Sequence, residues 1–211
     1  MQTEPQLILP ENFSVILARH AAPNRARTDI PYTVVPGPEL TEQGLREAAQ
    51  LGAFFAQAGV RRIFASPFER TLRTAHIAGA AVGVAPAVQA DLSEWHTTDS
   101  EREIRARMLR AFAPAAALSA EIGAPVALVT HGGPIGALLN ALGLSEDTVS
   151  RLRIFDYGNP VPTAGAWWVA KRPLDDGAAA LTFALAFAPP GARALPEALR
   201  RIEMEIQPQA A

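Results

Sequence analysis

The chain has 211 residues, 49% of them hydrophobic and 19% charged, with a net charge of -2. That balance fills one sizeable globular core; it excludes a disordered chain and a broadly basic nucleic-acid binder. The absence of cysteine excludes disulfides, thiolate metal sites and a cysteine nucleophile. No stretch reaches the ~20 apolar residues of a membrane helix. The start, MQTEPQLILPENF, lacks the basic end and long apolar run of a signal peptide. The expectation is a cytoplasmic protein that binds neither membrane nor nucleic acid, with a flexible leader at 1–12 and one α/β domain over 13–211.

Residues 13–18 (FSVILA) form a short apolar, β-branched run and predict a buried strand. Residues 19–38 hold four prolines and predict a loop. A helix begins at Thr41, carries an apolar stripe at Leu45, Ala48, Ala49, Gly52 and Phe55, and ends at Gly59. A strand at 60–65, a turn at Ser66-Pro67 and a helix over 68–81 follow, with Ser66 as helix cap. Further elements are a short strand at 87–92 and a helix over 100–122 interrupted near Pro114. A strand at 125–130 (PVALVT) leads into a helix over 133–142. Strands at 166–170 (AWWVA) and 181–187 (LTFALAF) come next, one of them a sheet edge suited to a homodimer contact. The tail 196–206 reads as an amphipathic helix. Apolar strands alternating with helices predict a three-layer αβα sandwich around a mostly parallel sheet.

Ligands of open α/β sheets bind at the carboxyl ends of strands. Three such ends carry polar residues: Arg19-His20, Ser66 with Arg70 in the next helical turn, and His131-Gly132-Gly133. Two histidines and two arginines at helix N-termini concentrate positive charge, which an anion would stabilise. Guanidinium groups grip phosphate in a fork, and a neutral imidazole can attack phosphorus. The glycines after His131 suggest that a ligand approaches the backbone there.

The segments ARHAAPNR (18–25), LTEQGLREAAQLG (40–52), ASPFERTLRTAHIAG (65–79), DLSEW (91–95) and VTHGGPIGALL (129–139) resemble, in order, the motifs of the histidine phosphatase superfamily, branch 1, also called phosphoglycerate-mutase-like. The resemblance spans roughly residues 13 to 145. It implies a phosphohistidine intermediate on His20, phosphoryl binding by Arg19, Arg70 and His131, proton donation by Glu94, and no metal or other cofactor. Where the family has Gly, an acid or amide, and a hydroxyl residue after the nucleophile, this chain has Ala21, Ala22 and Pro23. Asn24 stands two places before the usual Asn, and Gly132, Asn24 and His96 are secondary candidates. The segment after Glu94 departs from the family pattern, which leaves His96 and Asp99 as alternative donors.

Only residues 95–130 separate Glu94 from His131. Mutases of the family carry a longer insertion there to cover the phosphoenzyme, so the short one implies an open site and a phosphatase, with loop 21–38 as a partial lid. The substrate class expected is a small phosphorylated metabolite, with a phosphoprotein, including phosphohistidine, as the alternative. Three rival readings are a catalytically degenerate member that binds a phosphorylated ligand, a metal-dependent hydrolase using His20, Glu94 and His131, and a structural protein of the same fold.

Overall fold

The computed structural model describes residues 9–174 and 179–206. The first eight residues of the expected leader lie outside them. Seven strands form one sheet, in the order β3-β2-β4-β1-β5-β6-β7: β1 (Ser14–Arg19), β2 (Arg62–Ala65), β3 (Ala87–Val88), β4 (Val126–Thr130), β5 (Ala166–Pro173), β6 (Ala179–Phe187) and β7 (Arg201–Ile206). The helices are α1 (Glu42–Ala58), α2 (Glu69–Ala80), α3 (Glu101–Ile122), α4 (Gly132–Ala141), α5 (Glu146–Leu152) and the single turn α6 (Glu197–Arg200).

Alternation along the strands builds two cores. From β1, Val15 and Leu17 join α3 and α4, while Ile16 and Ala18 join α1 and α2. β4 does the same with Val126 and Leu128 on one face and Ala127 and Val129 on the other. Strands buried on both faces must be apolar throughout, which is why they were legible as short hydrophobic runs. The layers are helix, sheet, helix, as expected.

Local signals set the helix ends. The Thr41 hydroxyl accepts from the Gly44 amide at the start of α1, and Gly59 closes the helix at φ 75°. Ser100 and Glu103 make a reciprocal capping box for α3.

Five expectations need correction. The sheet is half parallel: β1–β4, β2–β4 and β2–β3 are parallel, whereas β1–β5, β5–β6 and β6–β7 are antiparallel. The last three strands form a meander, which needs no crossover helix. Neither 166–170 nor 181–187 is an edge, because β7 covers β6. The tail is a strand after one helical turn: Ile202 and Met204 turn inward and Arg201, Glu203 and Glu205 outward, a period of two. Helix α3 runs through Pro114 unbroken. Pro114 and Arg110 are exposed, so water can meet the carbonyl that loses its donor. The strand at 87–92 stops at Val88, and its second half is a 3-10 turn that redirects the chain toward Glu94. Helix α5, capped by Ser145, was too short to be read.

Candidate active site

Strand register brings the three polar ends together. Arg19 pairs with Thr130, and Ala65 with Val129, so His20, Ser66 and His131 leave the sheet at one level. The bonds continue past the strands: the His20 amide donates to the Thr130 carbonyl at 2.9 Å, and the Ser66 amide to Val129 at 3.0 Å. Because β5 is antiparallel to β1, the loop that feeds it arrives at the same end. The Ala164 amide donates to the His20 carbonyl at 3.1 Å.

His20 is 1% exposed, and its ring centroid lies 5.3 Å from that of His131. His20 Nδ1 is 2.8 Å from the Ala21 carbonyl. A carbonyl only accepts, so Nδ1 carries the proton and Nε2 presents a lone pair. His131 has the opposite tautomer: Nδ1 is 3.2 Å from an Arg70 Nη2 donor, and Nε2 donates to Ser66 Oγ at 2.9 Å. Burial pushes both imidazoles well below the usual histidine range. Arg19 and Arg70 press further on His20, and Arg70 on His131. Both rings are therefore neutral near pH 7.

Arg70 sits in the first turn of α2, fully buried. Its Nη1 donates to the Tyr32 carbonyl at 3.0 Å and its Nη2 to Glu94 Oε2 at 3.2 Å. Arg19 is gripped in a fork by Asp156, two bonds of 2.7 Å, and donates to the Val161 carbonyl at 3.0 Å. The Nε of each arginine is buried with no partner. An unmet N–H in a buried site is costly, and a ligand oxygen would relieve it.

Glu94 is aimed at this cluster by a scaffold. Its Oε1 accepts from the Trp95 amide at 2.9 Å. Arg107 donates to the carbonyls of Asp91, Ser93 and Glu94, and Thr130 Oγ1 to that of Leu92 at 2.6 Å. The structure thus brings Arg19, His20, Arg70, Glu94 and His131 together. It does not bring in the remaining candidates. The Asn24 side chain donates to Glu39 at 2.9 Å, away from the imidazoles. His96 is at the rim, its ring 6.5 Å from that of Phe68. Asp99 accepts from the His96 amide and faces Arg107. A Cβ on Gly132 would meet Asn159 Oδ1 at 1.9 Å, so this glycine has a packing reason to be small. Ser66 serves His131 more than the helix, since its bond to the Phe68 amide is 3.5 Å long.

The residues after His20 point into the scaffold. The Ala21 amide donates to Thr74 Oγ1, and the Ala22 amide to Glu47 Oε2. The Ala22 carbonyl accepts from the Thr41 amide, and a Cβ on Gly44 would stand 2.2 Å from it. Pro23 bridges to Leu40.

His20, Glu94 and His131 each offer one ligand atom within 4.8 Å of the others. Arg70 Nη2, however, lies 3.2 Å from both Glu94 Oε2 and His131 Nδ1, a fixed positive charge where a cation would bind. The donor set suits an anion better than a metal. Tyr32 and Asp156 had no readable signal. Each lies in an irregular segment whose position is set by the rest of the fold.

Fold and site together define an α/β protein with two imidazoles, two guanidinium groups and a carboxylate gathered at the strand ends. Residues 15–103 match the profile of the histidine phosphatase superfamily (branch 1). A search of curated proteins found no match. Among solved structures, "Mycobacterial hydrolase 1" is similar, with 21% identity and a TM-score of 0.65 over 77% of this chain and 93% of its own. A mycobacterial glucosyl-3-phosphoglycerate phosphatase has 20% identity and a TM-score of 0.62 over 82% and 96%. An Entamoeba histolytica phosphoserine phosphatase, in complex with 3-phosphoglyceric acid, has 14% identity and a TM-score of 0.58 over 74% and 89%. At these identities the likeness establishes the fold.

Proposed function

We propose that the protein hydrolyses phosphomonoesters without a metal, through a phosphohistidine on His20. The observation that carries this reading is a neutral His20, its Nε2 lone pair fixed by the Nδ1 bond to Ala21, in a buried cluster with two arginines whose Nε groups lack partners. In the first step Nε2 attacks phosphorus, the P–O ester bond breaks, and Glu94 supplies a proton to the leaving oxygen. In the second, water attacks phosphorus, the N–P bond breaks, and Glu94 takes back the proton. Arg19, Arg70 and His131 stabilise the charge on the equatorial oxygens. An incoming phosphoryl group competes with Glu94 for Arg70 Nη2; released from that cation, the carboxylate takes the proton of the monoanionic phosphoryl group and passes it to the leaving oxygen.

The nearly complete burial of His20 favours a small ester over a phosphoprotein. Metal-free protein should release phosphate from an aryl phosphate and form an acid-labile, base-stable phosphoenzyme. Undiminished turnover by His20→Ala would end the proposal. The Ala21-Ala22-Pro23 segment supplies no side-chain hydroxyl, which favours a second reading, a binder of phosphorylated ligands. Tight vanadate binding without hydrolysis of any ester would identify it.

A further inference from the structure

The position facing His20 is filled by the protein's own Tyr32. Loop 21–38 covers the site, as a lid was expected to, and this closes a pocket expected to be open. Tyr32 Oη lies 3.4 Å from His20 Nε2. That nitrogen has no proton, so the hydroxyl donates, and burial pushes its pKa upward and keeps it protonated. A phosphorus atom ready for attack must stand about 3–3.5 Å from the nucleophile. Tyr32 Oη and a phosphoryl group therefore exclude each other.

The ring is held as deliberately as the hydroxyl. The guanidinium carbon of Arg70 is 4.2 Å from the ring centroid and that of Arg25 is 4.1 Å. Arg25 also donates to Tyr32 Oη at 2.9 Å. Arg27, two residues on, pairs with Asp29 and Glu39; Arg25 instead stacks on rings. Its second ring is Tyr157, at 4.0 Å, outside the lid loop. Tyr157 is 75% exposed at φ 55°, a left-handed conformation that costs a non-glycine residue about 1–3 kcal/mol. The clasp on Arg25 gives that conformation a use: it anchors Arg25 from the far side of the mouth when Tyr32 leaves.

An aromatic alcohol is thus bound with its oxygen toward the nucleophile and its ring against two cations. We infer that Tyr32 is an internal stand-in for substrate, and that the slot it occupies receives the leaving group of a phosphate ester of an aromatic alcohol. The inference rests on the phosphatase reading above and narrows its substrate class. On binding, the phosphoryl group takes the place of Tyr32 Oη. The ester oxygen lies one P–O bond farther out, and the incoming ring takes over the contacts with Arg70 and Arg25.

The test is calorimetric binding of phenylphosphonate and cyclohexylphosphonate to the whole protein, with orthovanadate as reference. The two phosphonates share charge and approximate size and have no ester bond to break, so leaving-group reactivity plays no part. Phenylphosphonate should bind about fivefold tighter or better, and the preference should shrink below about twofold in Arg25→Gln. Tyr32→Ala should tighten both phosphonates and vanadate, because the competitor is gone. Tyr32→Phe, which keeps the ring, should tighten them less. Tyr32 is one of two tyrosines, so nitration resolved by peptide mass should rise at Tyr32 when phenylphosphonate is bound. Equal affinities for the two phosphonates, or weaker binding by both Tyr32 variants, overturns this inference while leaving the phosphatase reading standing. No vanadate binding by the wild type or by Tyr32→Ala overturns both.

Discussion

The two halves of the sheet do different work. The parallel half, β3-β2-β4-β1, carries every imidazole and guanidinium of the site at or just beyond its strand ends. The antiparallel half, β5-β6-β7, contributes none of these groups and instead closes the core over Trp167. That ring is fully buried, and its Nε1 donates to the Pro160 carbonyl at 3.0 Å. Parallel strands point their carboxyl ends the same way, so their helices start at one edge and their N-termini converge. A meander alternates direction and cannot gather ends like that. It does deliver one loop to the site, and with it Asp156 and Val161, which hold Arg19.

If the division is real, substitutions in the parallel half should cost activity and those in the meander stability. The largest expected effect is His20→Ala, which should lower kcat on an aryl phosphate by ~10³-fold or more with a Tm close to wild type. Arg70→Ala should lower kcat/KM about 10²- to 10³-fold. Trp167→Ala should instead destabilise by about 3–5 kcal/mol in urea unfolding, with kcat per folded molecule nearly unchanged. Asp156→Asn tests the side-chain link between the halves. Arg19 would lose its fork, and kcat/KM should fall about tenfold with little change in Tm. A Tm drop without loss of kcat/KM would make Asp156 a structural residue only.

Acidification should strain the parallel half first. His20 and His131 have folded pKa values below the 6.5 of a free histidine. Between the folded values and 6.5 the unfolded chain binds more protons. Stability is therefore full above about pH 6.5 and falls as pH drops through that window, by up to about 1.4 kcal/mol per pH unit for each ring. His20→Asn should flatten the slope of urea-unfolding free energy against pH. An unchanged slope would show that His20 is not buried as a neutral ring.

The legible parts of the molecule were those with a local cause. PVALVT had to be a doubly buried strand, and Thr41 and Gly59 bracket α1 by capping chemistry. The tail was misread because RIEMEI satisfies a helical pattern and a strand pattern over so few residues. Only the open edge of β6 selects the strand. The packing of Gly132 against Asn159 was not legible, because a small residue shows that something approaches, and not what. Tyr32, Asp156 and Arg107 gave no signal, since each acts through a partner far away in sequence.

Taken alone, the sequence determined the layered α/β architecture and the three strand ends with Arg19, His20, Arg70 and His131, because hydrophobic period and helix caps are written locally; Glu94 was added by the family resemblance. Tertiary structure decided the tautomers of His20 and His131, the pairing of Arg19 with Asp156, the antiparallel meander and the presence of Tyr32 over His20. Those depend on distances between remote segments, which are fixed only when the two cores pack.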